Sequence, residues 1–266
     1  MNDNMIDLAD ADAPIYRIIP VCRFVQLLQS KHLALVRTTK WDDSFENFLL
    51  RAEGILDATN ERIGLANMHD AMYAQCWTLT PESDAMWRIY SRRYSSGCPG
   101  RTAPDTPVDE IGIRIQTTVR KLFESVWDSN DPHRSLAYYI GRVGYVDERR
   151  IDDFMRSRLT EVLLLDATGK AQIQTLLVKR TEFEHEQEVR VIVRSEPDSR
   201  RLSPDRELYL VPIDPAVMFT DVLIDPRASS AEVASIKAIL KAAGFSGTAN
   251  QSRLYARPSY IIRITA

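Results

Sequence analysis

The stretch EVRVIVRSEPDSRRLSPDRELYLVPIDPAVMFTDVLI, residues 188–224, decides the fold class. It contains three short runs rich in Val, Ile and Leu, at 189–193, 208–213 and 222–224. Each is bounded by Asp, Pro or Ser and is too short for a buried helix, so each is expected to be a strand. Strands that follow one another without a regular helix between them do not build a doubly wound sheet. They favour an α+β fold with a mostly antiparallel or split central sheet flanked by helices.

Working outward, residues 21–30 carry apolar side chains at 21, 24, 25, 27 and 28, one stripe of a helix. Residues 33–36 and 73–80 are expected strands. Between them Asp42-Asp43-Ser44 can cap a helix through residue 50. Thr80-Pro81-Glu82 has the chemistry of a helix start, and that helix is expected to run to residue 93. Residues 94–109 hold two Gly and three Pro and are expected to form one long loop. A strand at 111–115, a helix at 117–127, a strand at 139–146 and helices at 149–164 and 170–180 follow. Ser229 and Glu232 spell a capping box, and Gly244 supplies the stop of the same helix. Residues 261–264 are an expected last strand. Residues 1–13 are expected as a disordered tail and residues 14–266 as a single domain, because no linker divides them.

The 266 residues are 44% hydrophobic and 27% charged, enough for a sizeable core without staples. A net charge of −3 provides no basic field for nucleic acid. The first residues, MNDNMIDLADADAP, are acidic where a secretory leader is basic, and no apolar run approaches the ~20 residues of a membrane helix. Cys22, Cys76 and Cys98 match no disulfide or zinc spacing, and the four His lack metal-ligand spacing. A cytoplasmic protein without a metal or membrane partner is the expectation. No glycine-rich phosphate loop, GxSxG or HExxH is present.

Four segments stand out. In Ile15-Tyr16-Arg17-Ile18 an Arg lies among apolar neighbours, and if buried it needs an acid or phosphate partner. Trp41-Asp42-Asp43-Ser44-Phe45-Glu46 offers either caps or catalytic carboxylates. In the segment from Cys76 to Ser91, Met86, Trp87 and Tyr90 share a helical face, which faces either the core or a planar ligand ring. In the segment from Lys179 to Arg190, Glu184, Glu186 and Glu188 alternate. In an extended chain they would crowd one face, with Lys179, Arg180 and Arg190 as the nearby cations. That row contains the best candidate for a functional acid.

At these residues the sequence resembles the bacterial family known as domain of unknown function 2971, from about residue 16 to 258. The motifs are the Tyr16-Arg17 pair, W-D-D-x-F-E at 41–46, and C-W-T at 76–78 with E-S-x-x-M-W-x-x-Y-S at 82–91. V-x-Y at 143–145, K-R-x-x-F-x-x-E-x-E-V-R at 179–190, D-P-R at 225–227 and Q-S-x-L-Y at 251–255 complete them. Residues 92–110 depart from the pattern. A weaker resemblance is to ADP-ribosyltransferases, through a first-strand Arg, a central hydroxyl and a late Glu-x-Glu. It implies Arg17, Thr78 and Glu188 as catalytic residues, with Glu186 as the upstream acid. Arg17 would hold the pyrophosphate of NAD, Thr78 would steady the glutamate, and Glu188 would stabilise an oxocarbenium-like transition state. Tyr16, Trp87, Tyr90 and Arg190 are the candidate NAD-contacting residues. The implied activity is that of a transferase or glycohydrolase, in a bacterial defence or toxin setting. Two other classes stay open: a non-catalytic binding or regulatory module of a bacterial conflict system, and a nucleic-acid-processing enzyme holding Mg²⁺ on Asp42, Asp43, Glu46 and Glu188.

Overall fold

The computed structural model describes residues 2–41, 43, 45–46, 48, 53–56, 59–64, 71–91, 107–156 and 169–259. The expected helix start at Asp42 and Ser44, most of the 94–109 loop, the second half of the 149–164 helix and the 261–264 strand lie outside them. In chain order the strands are β1 (Met5–Ile6), β2 (Pro14–Pro20), β3 (His32–Arg37), β4 (Glu53–Leu56), β5 (Glu61–Gly64), β6 (Met72–Thr78) and β7 (Gly112–Thr118). They continue with β8 (Tyr138–Arg142), β9 (Gly144–Val146), β10 (Val178–Arg180), β11 (Glu188–Arg194), β12 (Leu208–Pro212), β13 (Asp221–Ile224) and β14 (Thr248–Gln251). Pairing is mostly antiparallel, with parallel pairs at β1–β8, β9–β10 and β13–β14, so the sheet is mixed.

Two compact units replace the single domain expected. One comprises residues 1–17, 30–81 and 116–218, the other 18–29, 82–115 and 219–266. The units alternate along the chain, and three of the five divisions fall inside continuous elements, β2, the helix Val21–Ser30 and β7. That is why no linker marks them.

In the first unit β11 lies between β8 and β6, antiparallel to both. Residues 188–193 of β11 are buried, as a central strand covered on both faces should be. The far edge of β6 is shared: β3 pairs along Tyr73 and Ala74, and β2 pairs at Thr78. One face carries Met72, Ala74, Tyr139 and Ile192, packed with Ile6, Ile173, Leu176 and Leu177. The 1–13 segment is not a tail among the described residues: β1 pairs with β8, and the buried Asn4 amide donates to the carbonyls of Ser135 and Tyr138 at 2.8 Å.

In the second unit the helix Val21–Ser30 buries Phe24, whose ring meets Phe219 and Phe245 edge-on at 5.5 Å. The parallel pair β13–β14 needs a crossover, supplied by the helix Ser230–Ala242. Both sequence signals for that helix hold: Ser229 and Glu232 close a capping box, and Gly244 takes a positive φ of 86°.

Several expected elements shift. The helix after β6 is Asp84–Tyr90, capped by extended Ser83 rather than Thr80. Thr80 is instead held by β6, its N–H donating to the Thr78 hydroxyl at 3.0 Å, while Leu79 N–H reaches the Gln187 carbonyl. The 170–180 helix stops at Thr175, since residues 178–180 pair as β10 with β9. The 139–146 strand divides into β8 and β9.

Candidate functional site

The centre of interest is the entry of β11. Residues 181–186 are not extended. They form a 3-10 helix, so the three-acid row does not exist. Glu184 is exposed, whereas Glu186 and Glu188 are buried. The turn between them places non-glycine Gln187 at φ 42°, a left-handed conformation that needs outside support. Arg142 donates to the Gln187 side-chain oxygen at 2.8 Å, and the Gln187 amide caps the Glu184 carbonyl at 2.8 Å. The Thr78 hydroxyl donates to the Glu186 carbonyl at 2.5 Å. Thr78 therefore fixes the turn through backbone rather than through a glutamate carboxylate.

Glu188 is 4% exposed and Arg190 0%. Two residues apart on a strand, they share a face, and the guanidinium grips the carboxylate with Nε at 3.0 Å and a terminal nitrogen at 2.8 Å. Arg190 also donates to the Leu176 carbonyl at 2.6 Å and to Glu46. Lys179 adds contacts at 2.6 Å to Glu186, 3.2 Å to Glu46 and 3.6 Å to Glu188. The Tyr145 hydroxyl accepts from Glu188 N–H at 2.8 Å. Three carboxylates thus share two cations out of water, an arrangement sustained only by this density of hydrogen bonds.

Burial by itself would push the Glu188 carboxyl up. The Arg190 guanidinium, with Lys179 beyond it, outweighs that and holds it below its ordinary range. Burial likewise opposes the charge on Lys179 and Arg190, and the surrounding carboxylates, Glu188 foremost, hold both above their ordinary values. Burial and Glu188 push the Cys76 thiol well up, so it is no nucleophile at neutral pH.

The register brings sequence-distant candidates together. Thr78 of β6 pairs with Glu188 on one side and with Tyr16 of β2 on the other. Directly opposed residues point to one face, so Tyr16, Thr78 and Glu188 form a row across three strands. Arg17 adjoins this row but, one residue along, has its side chain directed to the opposite face. Trp87 and Tyr90 belong to the other unit. There Trp87, fully buried, packs with Met86, Ile18 and Leu223, and its indole N–H donates to Glu82 at 3.2 Å. Tyr90 is 39% exposed, so the expected common face of Met86, Trp87 and Tyr90 is only partly core.

Of the Mg²⁺ donor set, Asp42 lies outside the described residues, and the other three carboxylates are engaged by cations. Glu46 and Glu188 do meet, but around Lys179 and Arg190, and Asp43 pairs with Arg180 at 3.0 Å instead. Among the described residues no group of His, Cys, Asp and Glu suits a metal ion.

Sequence reasoning had Lys179 among the cations near Glu188 and grouped Glu46 with Glu188 only as a Mg²⁺ donor; it missed Tyr145 and the role of Glu46 as an acid shared by Lys179 and Arg190. The motif pattern was the available signal, since W-D-D-x-F-E, C-W-T, V-x-Y and K-R-x-x-F-x-x-E-x-E-V-R all converge here. The motifs at 82–91, 225–227 and 251–255 converge in the second unit. Ser91 donates to Asp225 at 2.5 Å, Arg227 grips Asp225 at 3.0 and 2.7 Å and reaches the Trp87 carbonyl at 3.0 Å, and Ser252 bonds Glu82.

No protein-family model matches the chain, and the likeness to domain of unknown function 2971 stays one of motifs. No curated protein matches it either. Solved structures similar to it include Thermus sp. 2.9 DarT in complex with NAD+, at 11% identity over 92% of this chain and 98% of that one, with a TM-score of 0.41. The same protein with ADP-ribosylated ssDNA matches at 10% identity over 92% and 96%, with a TM-score of 0.40.

Proposed function

We propose that the protein binds NAD and breaks its nicotinamide–ribose bond, as an ADP-ribosyltransferase or glycohydrolase. The observation that carries this reading is the cross-strand row Tyr16–Thr78–Glu188. In this row the late glutamate and the central hydroxyl residue share a face with the first-strand aromatic Tyr16, a candidate NAD-contacting residue. When the bond between ribose C1′ and the nicotinamide nitrogen breaks, its electron pair neutralises the ring nitrogen and positive charge appears on the ribose. A carboxylate already ionised and rigidly held stabilises that charge without reorganising. Glu188 meets this description, because Arg190 and Lys179 keep it ionised. Thr78 holds the turn that aims it, and Tyr16 offers a ring beside it, whereas Arg17, on the opposite face, is not part of this row.

A second reading draws on a specific observation: Arg190 already engages both oxygens of Glu188. A carboxylate so occupied fits a non-catalytic module whose ion network is structural.

The test is nicotinamide release from NAD by the purified protein, with water, protein and nucleic-acid acceptors. Glu188→Gln is expected to lower turnover on the order of 10²–10³-fold with NAD affinity nearly unchanged. No NAD binding at millimolar ligand, together with a Glu188→Gln effect confined to the melting temperature, would select the structural reading.

A further inference from the structure

We infer that Lys179, Arg180 and Arg190 form a binding site for an anionic ligand bearing aromatic rings, and that the chain's own Trp41, Asp43, Phe45 and Glu46 fill it at rest. This rests on the reading above in taking a dinucleotide as that ligand. The four residues meet the three cations one by one. Trp41 lies over the Arg190 guanidinium at 4.3 Å and Phe45 over that of Arg180 at 4.4 Å. Asp43 takes Arg180 at 3.0 Å, and Glu46 takes both Arg190 and Lys179. The two carboxylates and two rings that meet these cations, those of Asp43, Glu46, Trp41 and Phe45, reproduce what a dinucleotide presents, two phosphate charges and two planar heterocycles.

Charge balance separates occupant from framework. Glu186 and Glu188 against Lys179, Arg180 and Arg190 leave one positive charge over, and adding Asp43 and Glu46 turns that into one negative charge. Arg190 keeps Glu188 and the Leu176 carbonyl without Glu46, and Lys179 keeps Glu186 at 2.6 Å. Asp43 and Glu46 are therefore the exchangeable acids. The Asp43–Arg180 contact is also incomplete: one Asp43 oxygen and the Arg180 Nε are buried without a hydrogen-bond partner among the described residues. An anion that offered Arg180 both its nitrogens would satisfy it better than Asp43 does. A ligand entering this site has to displace the segment, so its apparent affinity is lowered by the fraction of molecules in which the segment is seated.

Calorimetry with NAD and, separately, inorganic pyrophosphate on wild type, Asp43→Asn and Glu46→Gln tests the inference. Asp43→Asn acts at the partly exposed Arg180 and serves if Glu46→Gln does not fold. Either folded variant is expected to bind NAD about tenfold more tightly than wild type, and adding Arg180→Ala to Asp43→Asn is expected to cancel the gain. Equal or weaker NAD binding by folded variants overturns the inference and leaves the NAD reading standing. Pyrophosphate binding strengthened in the variants, with no NAD binding anywhere, keeps the anion site and overturns NAD as its ligand. If neither probe binds any form, both fail.

Discussion

Arg190 is the residue on which the first unit's polar centre turns. It is fully buried and holds Glu188, Glu46 and the Leu176 carbonyl at once. Removing it leaves three buried carboxylates, Glu46, Glu186 and Glu188, with Lys179 alone to answer them. Arg190→Met is therefore expected to cost roughly 3–5 kcal/mol, read from urea unfolding. The same network sets a pH window. Glu188 titrates below its ordinary 4.5 in the folded protein, so its contribution is full above that value and is lost as pH falls through the lowered one. Burial pushes the Tyr145 hydroxyl from 10.0 up to about 12, so its contribution is full below 10 and lost as pH rises toward 12. Melting temperature against pH should fall on both flanks, and Glu188→Gln should flatten the acid one.

At the scale of elements, the helix Asp84–Tyr90 is anchored from both ends. Its core residue Trp87 is fully buried against Met86 and Ile18, so Trp87→Ala is expected to cost roughly 3–5 kcal/mol in thermal or urea melts. Just past its end, Ser91 donates to Asp225 and accepts from Gly112 N–H at 3.0 Å. A Cβ on Gly112 would meet the Ser91 Cβ and Oγ at 2.5 Å, so β7 approaches this closely only because residue 112 is glycine. Gly112→Ala is expected to cost about 1–3 kcal/mol by the same measurements, through displaced Ser91. On the helix Ser230–Ala242, Ser229→Ala removes one side of the capping box and is expected to cost about 1 kcal/mol.

At the scale of the whole molecule, the two units are threaded through one another in sequence, so no single cut isolates either. A fragment ending at residue 81 contains β2, β3 and β6 but lacks β11, which pairs with β6 from Met72 to Thr78. It exposes that edge and the apolar face of β6, and is expected to show neither cooperative melting nor dispersed amide resonances.

What the sequence determined by itself was local. The helices at 21–30 and 230–242 and the strands of residues 188–224 were legible because apolar spacing, caps and Gly244 act within a few residues. The α+β class followed from the order of those elements. Glu188 stood out as the end of the alternating acids 184, 186 and 188, with Arg190 as a nearby cation, although that stretch is not extended in the structure. The tertiary structure decided which other groups meet them. Lys179 was legible as a nearby cation, but Glu46 and Tyr145 come from distant segments, and only strand pairing and burial bring them to β11. It also decided that 184–186 is helical rather than extended, because Thr78 and Arg142, remote in sequence, hold the turn at Gln187. The division into two units was hidden for the same reason: a linker leaves a compositional mark, whereas a boundary inside a continuous strand leaves none.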